Sequence, residues 1–180
     1  MWPLFKKVRH YVKYNYFNGG PMGNTYVQAY FHLVFAVKYR QALIQKSWKS
    51  RLEQYITGIV QKNNHKLIAI GTMPDHIHIF IGYNLNQTIP DLVENIKTSS
   101  NHWINKEQLS NFRFYWQKGY VAFTHPHSHI NIVYDYIINQ EAHHDKRTFK
   151  EEYIELLKKY RIPYKNEYIF TFFDDVDGWK

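Results

Sequence analysis

The chain of 180 residues contains no cysteine, which excludes disulfides, thiolate nucleophiles and cysteine-based zinc sites. Glycine and proline are also sparse, at 8 and 6, and no low-complexity linker or internal repeat divides the sequence. That continuity suits one domain with modest extensions. Nowhere do about 18 apolar residues run together, so no membrane span is expected. The opening MWPLFKKVRHYVKYNYFNGGPMG carries Lys6, Lys7, Arg9 and Lys13 but lacks the apolar centre and small-residue cleavage pattern of a secretory signal. A cytoplasmic location is the expectation.

Against these absences stands a surplus of aromatic residues and positive charge. Aromatics make up 18% of the chain, including 16 tyrosines, more than a core alone would use. Lysine and arginine number 23 against 15 acidic residues, a formal net charge of +8 that attracts polyanions at long range without specifying which. Gly19, Gly20 and Pro21 break the chain before a better ordered pattern begins. Residues 1–22 therefore read as a basic N-terminal extension, with Met22 as an alternative natural start. Residues 23–162 read as the domain, and residues 163–180 as a C-terminal tail with no clear period.

The β-branched and aromatic content of residues 24–39 predicts a long strand, and the spacing of Trp48, Leu52, Tyr55, Ile56, Ile59 and Val60 predicts a helix over 47–62. Lys66 to Met73 is a second strand, Pro74 and Asp75 a turn, and residues 76–83 an alternating third strand. Thr88, Pro90 and Asp91 open a second helix, and residues 112–123 hold a strand bent at Gly119. The order β-α-β-β-α-β predicts an α+β, ferredoxin-like sheet with two helices on one face. Two more helices follow. Over 129–141, Ile130, Val133, Tyr134, Ile137 and Ile138 share one side, with Ser128 expected to cap the start. Over 148–160, a Thr148/Glu151 capping box leads a stripe of Phe149, Tyr153, Leu156, Leu157 and Tyr160.

The sharpest chemical signal is Pro74-Asp75-His76-Ile77-His78. Histidines two apart on a strand point to the same side, so both imidazoles can reach one ion. Neutral imidazole suits transition metals, and it suits magnesium only where other oxygens complete the shell. Asp75 can orient one ring from behind. A second signal is Tyr136 and Gln140, one helical turn apart and off the apolar stripe; a phenol attacking phosphorus conserves bond energy in an ester, and an amide oxygen beside it can hold a cation. Tyr134, by contrast, is expected to pack inward. Sixteen tyrosines leave the choice among them open on residue type alone.

From Asn24 onward the chain resembles the single-tyrosine transposases of the IS200/IS605 type, within the HUH endonuclease superfamily. The resemblance is carried by NTYVQAYFHLVFAVKYR, GTMPDHIHIFI, FYWQKGYVAFT and YDYIINQEAHHDKRTFKEEYIELLKKY, in that order over most of the chain. It implies metal ligands at His76, His78 and Gln140, a nucleophile at Tyr136, and Mg²⁺ or Mn²⁺ as the ion. It also implies cleavage and rejoining of single-stranded DNA with subterminal hairpins through a 5′-phosphotyrosine, without a nucleotide cofactor. A homodimer is implied too, the tyrosine helix of one subunit serving the histidine pair of the other. Trp116, Gln117, Gly119 and Tyr120 match the family segment and are assigned structural roles.

This chain departs from the family pattern at Thr124-His125-Pro126-His127-Ser128-His129, where relatives carry a serine-rich turn. Pro126 opposes a regular strand there, so these histidines are not taken as a second metal site. His144 is expected to be an ordinary polar residue at a helix end. Other readings remain: a domesticated relative acting on dispersed palindromes with the same residues, a non-catalytic nucleic-acid-binding module, or a metal hydrolase of small phosphoesters. The last lacks an evident carboxylate base.

Overall fold

The structure, a computed structural model, describes residues 27–39, 41, 43–144 and 147–173, without the side chain of His143. The N-terminal extension, residues 24–26 of the expected first strand and the end of the tail lie outside the described residues. Within them, Tyr30–Ala36 forms β1, Lys46–Lys62 α1, Lys66–Thr72 β2, His76–Gly82 β3, Ile89–Lys106 α2 and Val121–Thr124 β4. The sheet runs β2-β3-β1-β4 with every neighbour antiparallel, the strand order of the ferredoxin-like fold. The register sets His76 opposite Ala36, His78 opposite Val34 and Phe80 opposite His32.

Alternation then divides the sheet into two faces. Ile77, Ile79 and Ile81 of β3, with Leu33 and Phe35 of β1, bury against Trp48, Leu52, Ile56 and Val60 of α1 and Leu92, Val93, Ile96 and Ile104 of α2. The α2 start is held by Thr88, whose hydroxyl accepts the Asp91 N–H at 3.2 Å, with Pro90 in the first turn. The opposite face, bearing His76, His78 and Phe80, is covered by later helices: α3 (Ile130–Ile138), α4 (Gln140–His144) and α5 (Phe149–Lys159). Ile130, Val133 and Ile137 of α3 close over Phe80 and Ala69. The β3 strand is consequently buried on both sides.

Several elements differ from expectation. The first strand begins at Tyr30, and the strand expected over 112–123 is a short β4 preceded by one bridge between Trp116 and Val37. Gly119, at φ +80°, turns the chain between them. Helix 129–141 breaks at Asn139, giving α3 and α4. Ser128 caps nothing, because residues His127–His129 form a 3₁₀ turn and His129 takes the cap position without a side-chain bond. The Thr148/Glu151 capping box on α5 is present. Gln117 clamps the chain, donating to Val37 O at 2.8 Å and Thr171 O at 2.7 Å and accepting Thr171 N–H at 2.8 Å. The described part of the tail thus packs down, Phe170 and Phe172 against Phe149 and Tyr153.

One close approach positions α3. A Cβ placed on Gly71 of β2 would lie 2.6 Å from the backbone oxygen of Ile137 and 3.0 Å from its Cγ2. Backbone cannot step aside as a side-chain tip can, so Gly71→Ala must push α3, and Tyr136 with it, off the sheet. The expected cost is about 1–3 kcal/mol of stability. Thermal unfolding should show a lowered Tm, and any activity depending on Tyr136 should fall further than stability alone explains. A Gly71→Ala protein with wild-type Tm would contradict this packing.

Candidate active site

His76 and His78 project from β3 to the same face, with ring centroids 5.0 Å apart. Both are fully buried. His76 donates Nδ1–H to Asp75 Oδ1 at 2.7 Å, as expected of a carboxylate behind the ring. Phe149 of α5 stacks on His76 with centroids 3.9 Å apart and planes 5° from parallel. His78 Nδ1 shares a 2.8 Å hydrogen bond with Nε2 of His32, a buried residue of β1. Both outer nitrogens are thereby engaged, and both Nε2 atoms face inward.

A carboxylate lies in front of them. Glu152 Oε2 is 3.6 Å from His76 Nε2, and Glu152 Oε1 is 3.6 Å from His78 Nε2. Glu152 also accepts the Gln140 amide at 2.9 Å, His144 Nε2–H at 2.9 Å and the Tyr136 hydroxyl proton. Burial alone would push this carboxyl up, but its interaction with the His78 ring, the hydrogen bond from His144 and the interaction with His76 hold it well below the ordinary carboxylate range. The Tyr136 phenol moves the other way: burial, and then the adjacent Glu152 charge and its hydrogen bond, raise it far above the usual tyrosine range. The phenol is held protonated.

The residues present fit a divalent cation. His76 Nε2, His78 Nε2 and Gln140 Oε1 are buried without a hydrogen-bond partner, an expensive state for three polar atoms unless a ligand engages them. Ligand atoms of His76, His78 and Glu152 lie within 4.8 Å of one another. Two imidazoles, an amide oxygen and a carboxylate form a mixed N/O set suited to Mn²⁺, and to Mg²⁺ when phosphate and water oxygens join it.

The structure therefore brings together all four residues singled out in the sequence, His76, His78, Tyr136 and Gln140, and adds Glu152, His144 and His32. His144 is no ordinary helix-end residue: it is 3% exposed and bonded to Glu152. Tyr134, expected inward, is 38% exposed, and Ile138 is 52% exposed. The reason is rotational. Only Ile130, Val133 and Ile137 face the sheet; Tyr136 and Gln140 lie on the shoulder toward α5, leaving Tyr134 and Ile138 on the solvent shoulder. Glu152 had a readable signal, since it falls three residues after Phe149 and four before Leu156, inside the buried stripe. Within this single chain Tyr136 lies beside its own His78, at 5.9 Å between ring centroids, so the site closes in cis. His125 is buried against Phe80 and Tyr160, while His127 and His129 are exposed.

A β-α-β-β-α-β sheet carrying a His-x-His strand under a tyrosine helix is a ferredoxin-like α+β fold with a histidine–tyrosine site, and comparison with known proteins gives its family. Residues 25–140 match the family described as "Transposase IS200 like", and the chain belongs to that family. It is 33% identical over 79 residues to the ISDra2 transposase TnpA of Deinococcus radiodurans. That match covers 43% of this chain and 56% of the relative, so the chain spans just over half the length of that curated protein. Among solved structures, a Deinococcus radiodurans R1 protein assigned provisionally as a transposase aligns at TM-score 0.51 and 25% identity, over 66% of this chain and 96% of that one. A REP-associated tyrosine transposase bound to a REP hairpin shares the fold, at TM-score 0.53 and 12% identity over 89% and 98% of the two chains. No described helix is long and apolar enough to cross a membrane.

The buried rings make the fold sensitive to acid. Burial lowers His76 from 6.5 to about 4 despite Asp75, and burial, with His129 and Lys159, lowers His125 to about 4. Between those values and 6.5 the unfolded chain binds protons that the folded chain refuses, so stability falls as pH falls. Glu152, held below its ordinary value, continues the same trend at lower pH. Tm measured in chelator should decline from about pH 6.5 downward; a Tm that holds level to about pH 4.5 would show that these rings accept protons in the fold.

Proposed function

We propose that this protein cuts and rejoins single-stranded DNA, with Tyr136 as the nucleophile and a divalent cation, Mg²⁺ or Mn²⁺, held by His76, His78 and Gln140 with Glu152 beside them. The observation that carries the reading is the convergence of one phenol, two bare imidazole nitrogens and one bare amide oxygen in a buried site, in a member of the IS200-like family. When bound, the cation would polarise the scissile phosphate and balance its developing charge.

The chain's own groups supply the rest. Attack by the Tyr136 oxygen on phosphorus forms a 5′-phosphotyrosyl ester and releases a 3′ oxygen. The phenol must lose its proton in that step, and Glu152 Oε1, already its hydrogen-bond acceptor, is the base at hand. The departing 3′ oxygen takes up a proton, so reversal by that hydroxyl, or by one from another strand, restores the starting groups. Energy is conserved in the ester, and no nucleotide cofactor is needed. Glu152 also supplies the carboxylate whose absence told against a metal hydrolase of small phosphoesters, so the covalent adduct on Tyr136 is what separates the two readings.

Hairpin-ended single strands are the substrate we propose, in keeping with the net charge of +8. An exposed cluster just past the end of β1 suits such a strand: Lys38 lies 4.9 Å from the Tyr39 ring centroid, and Arg113 lies 5.3 Å from that of Tyr115. Rings flanked by cations stack bases while neutralising phosphates. The cluster lies at the sheet end where β3 begins, since Ala36 pairs with His76.

Tyr136→Phe should leave fold and hairpin-DNA affinity near wild type while the covalent adduct formed with Mn²⁺ disappears. Tyr134→Phe, at an exposed position, should change neither. Peptide mass mapping of the adduct decides, and attachment anywhere but Tyr136 would overturn the assignment.

We also propose a homodimer in which the tyrosine helix can serve the partner's histidine pair. The resemblance implies it, and the solvent shoulder of Tyr134 and Ile138, with Ile132 63% exposed, supplies apolar surface for a second copy. Mixing Tyr136→Phe subunits with His76→Ala/His78→Ala subunits should restore one composite site per heterodimer. Heterodimers that bind DNA yet never cleave it would refute exchange while leaving the cis site intact.

A further inference from the structure

His32 was not singled out by the sequence, yet it is 2% exposed and bonded to the inner ring of the histidine pair. It lies on β1 opposite Phe80, two pairs along from the Val34–His78 pair and so on the same face, and it meets His78 diagonally across the ladder. The two rings stack at 5.0 Å and 28°, and the Phe123, His125 and Tyr136 rings lie 5.8, 6.0 and 6.2 Å from His32. Burying an imidazole in an aliphatic sheet costs free energy that a leucine would not. Its bond to His78 is the return.

A hydrogen bond between two imidazole nitrogens contains one proton, and its position decides what His78 can do. If His78 Nδ1 carries it, His32 Nε2 accepts, and His78 Nε2 keeps a bare lone pair aimed at Glu152. If His32 Nε2 carries it, His78 must be protonated at Nε2 to stay neutral, and that nitrogen can no longer ligate a cation. His76 has the same arrangement, with Asp75 accepting its Nδ1–H and Nε2 left bare. The two rings of the pair are thus met from behind by two different partners, a carboxylate for His76 and a second imidazole for His78.

We propose that His32 is a positioning residue for the metal site: by accepting the Nδ1–H of His78 it fixes that ring's tautomer and orientation, leaving Nε2 free to bind a divalent cation. The inference rests on the metal-site reading above. It predicts that removing the acceptor weakens cation binding even though His32 touches neither cation nor DNA. Loss of such a supporting bond typically costs 10–100-fold in metal affinity.

The experiment is a Mn²⁺ titration followed by electron paramagnetic resonance of the free ion, on full-length wild type, His32→Leu and His32→Gln. Leucine fills the volume without an acceptor; glutamine carries an amide oxygen at about the reach of Nε2. His32→Leu should lose roughly 10–100-fold in Mn²⁺ affinity, with metal-free hairpin-DNA affinity unchanged, and His32→Gln should recover most of it. Equal affinity in wild type and His32→Leu would overturn the proposal. So would a His32→Gln protein as weak as His32→Leu, which would make the role one of packing. Should His32→Leu fail to fold, long-range ¹H–¹⁵N spectra of metal-free wild type still decide. A His78 ring protonated at Nδ1 supports the proposal, and one protonated at Nε2 overturns it. Wild type that binds no Mn²⁺ at all would sink the metal reading itself, whereas normal binding unaffected by His32 sinks only this inference.

Discussion

A carboxylate removed from water must collect hydrogen-bond donors, and Glu152 collects them from the two helices that precede its own. Tyr136 donates from α3, Gln140 and His144 from α4, and the histidine pair of β3 closes the other side at 3.6 Å. Glu152 itself is anchored on α5 by Phe149 and Tyr153 on one side and Leu156 and Leu157 on the other. Removing any one donor leaves the others around a buried anion that is less well paired, which is why these helices act as one unit. The same carboxylate holds Tyr136 protonated and aims its oxygen. Structure and chemistry here depend on one side chain.

The second constraint is burial of β3 on both faces. An edge or half-exposed strand would let water satisfy His76 and His78, and the rings could then turn freely. With α1 and α2 beneath and the tyrosine helices above, each Nδ1 must find a partner within the protein, and Asp75 and His32 are those partners. What remains are two Nε2 atoms that are buried without a hydrogen-bond partner. A site that is costly when bare gains most from a ligand that satisfies it.

The fold was legible wherever periodicity and capping agreed. Thr88/Asp91, Thr148/Glu151 and the stripes of α1 and α2 placed their helices, and the β-α-β-β-α-β order followed. The His-x-His spacing was readable because strand geometry alone puts both rings on one face. Tyr134 misled because a helix of nine residues has too few apolar positions to say which shoulder a neighbouring helix will cover. Glu152 was hidden by its type: an acidic residue beside Glu151 in a first turn reads as a response to the helix dipole, and only its phase with Phe149 and Leu156 marks it as buried. His32 carried no local signal. Its partner is 46 residues away, and only the strand register brings them together.

Two anchors hold the tyrosine, and they bear on how the helix could change partners. Gly71 admits the backbone of Ile137 at a distance no other residue would allow, and Glu152 grips the hydroxyl from the opposite side. Leaving that position alone would strand a buried anion and open the sheet over Phe80, so a lone subunit has strong reason to keep its helix closed. Exchange between two identical chains changes the balance. In the proposed dimer, each β2 groove that gave up its own Ile137 would receive the partner's, and each Glu152 that gave up its donors would meet the same donors again. The contacts exchanged are equal in kind and number, which is why swapping identical elements is a low-cost route to a dimer. The turn at Asn139, where α3 and α4 part, lies inside the segment that would have to travel, so the pivot must lie elsewhere. In the proposed exchange the pivot would fall before Ile130, where Pro126 and the 3₁₀ turn at His127–His129, all exposed, join α3 to the sheet.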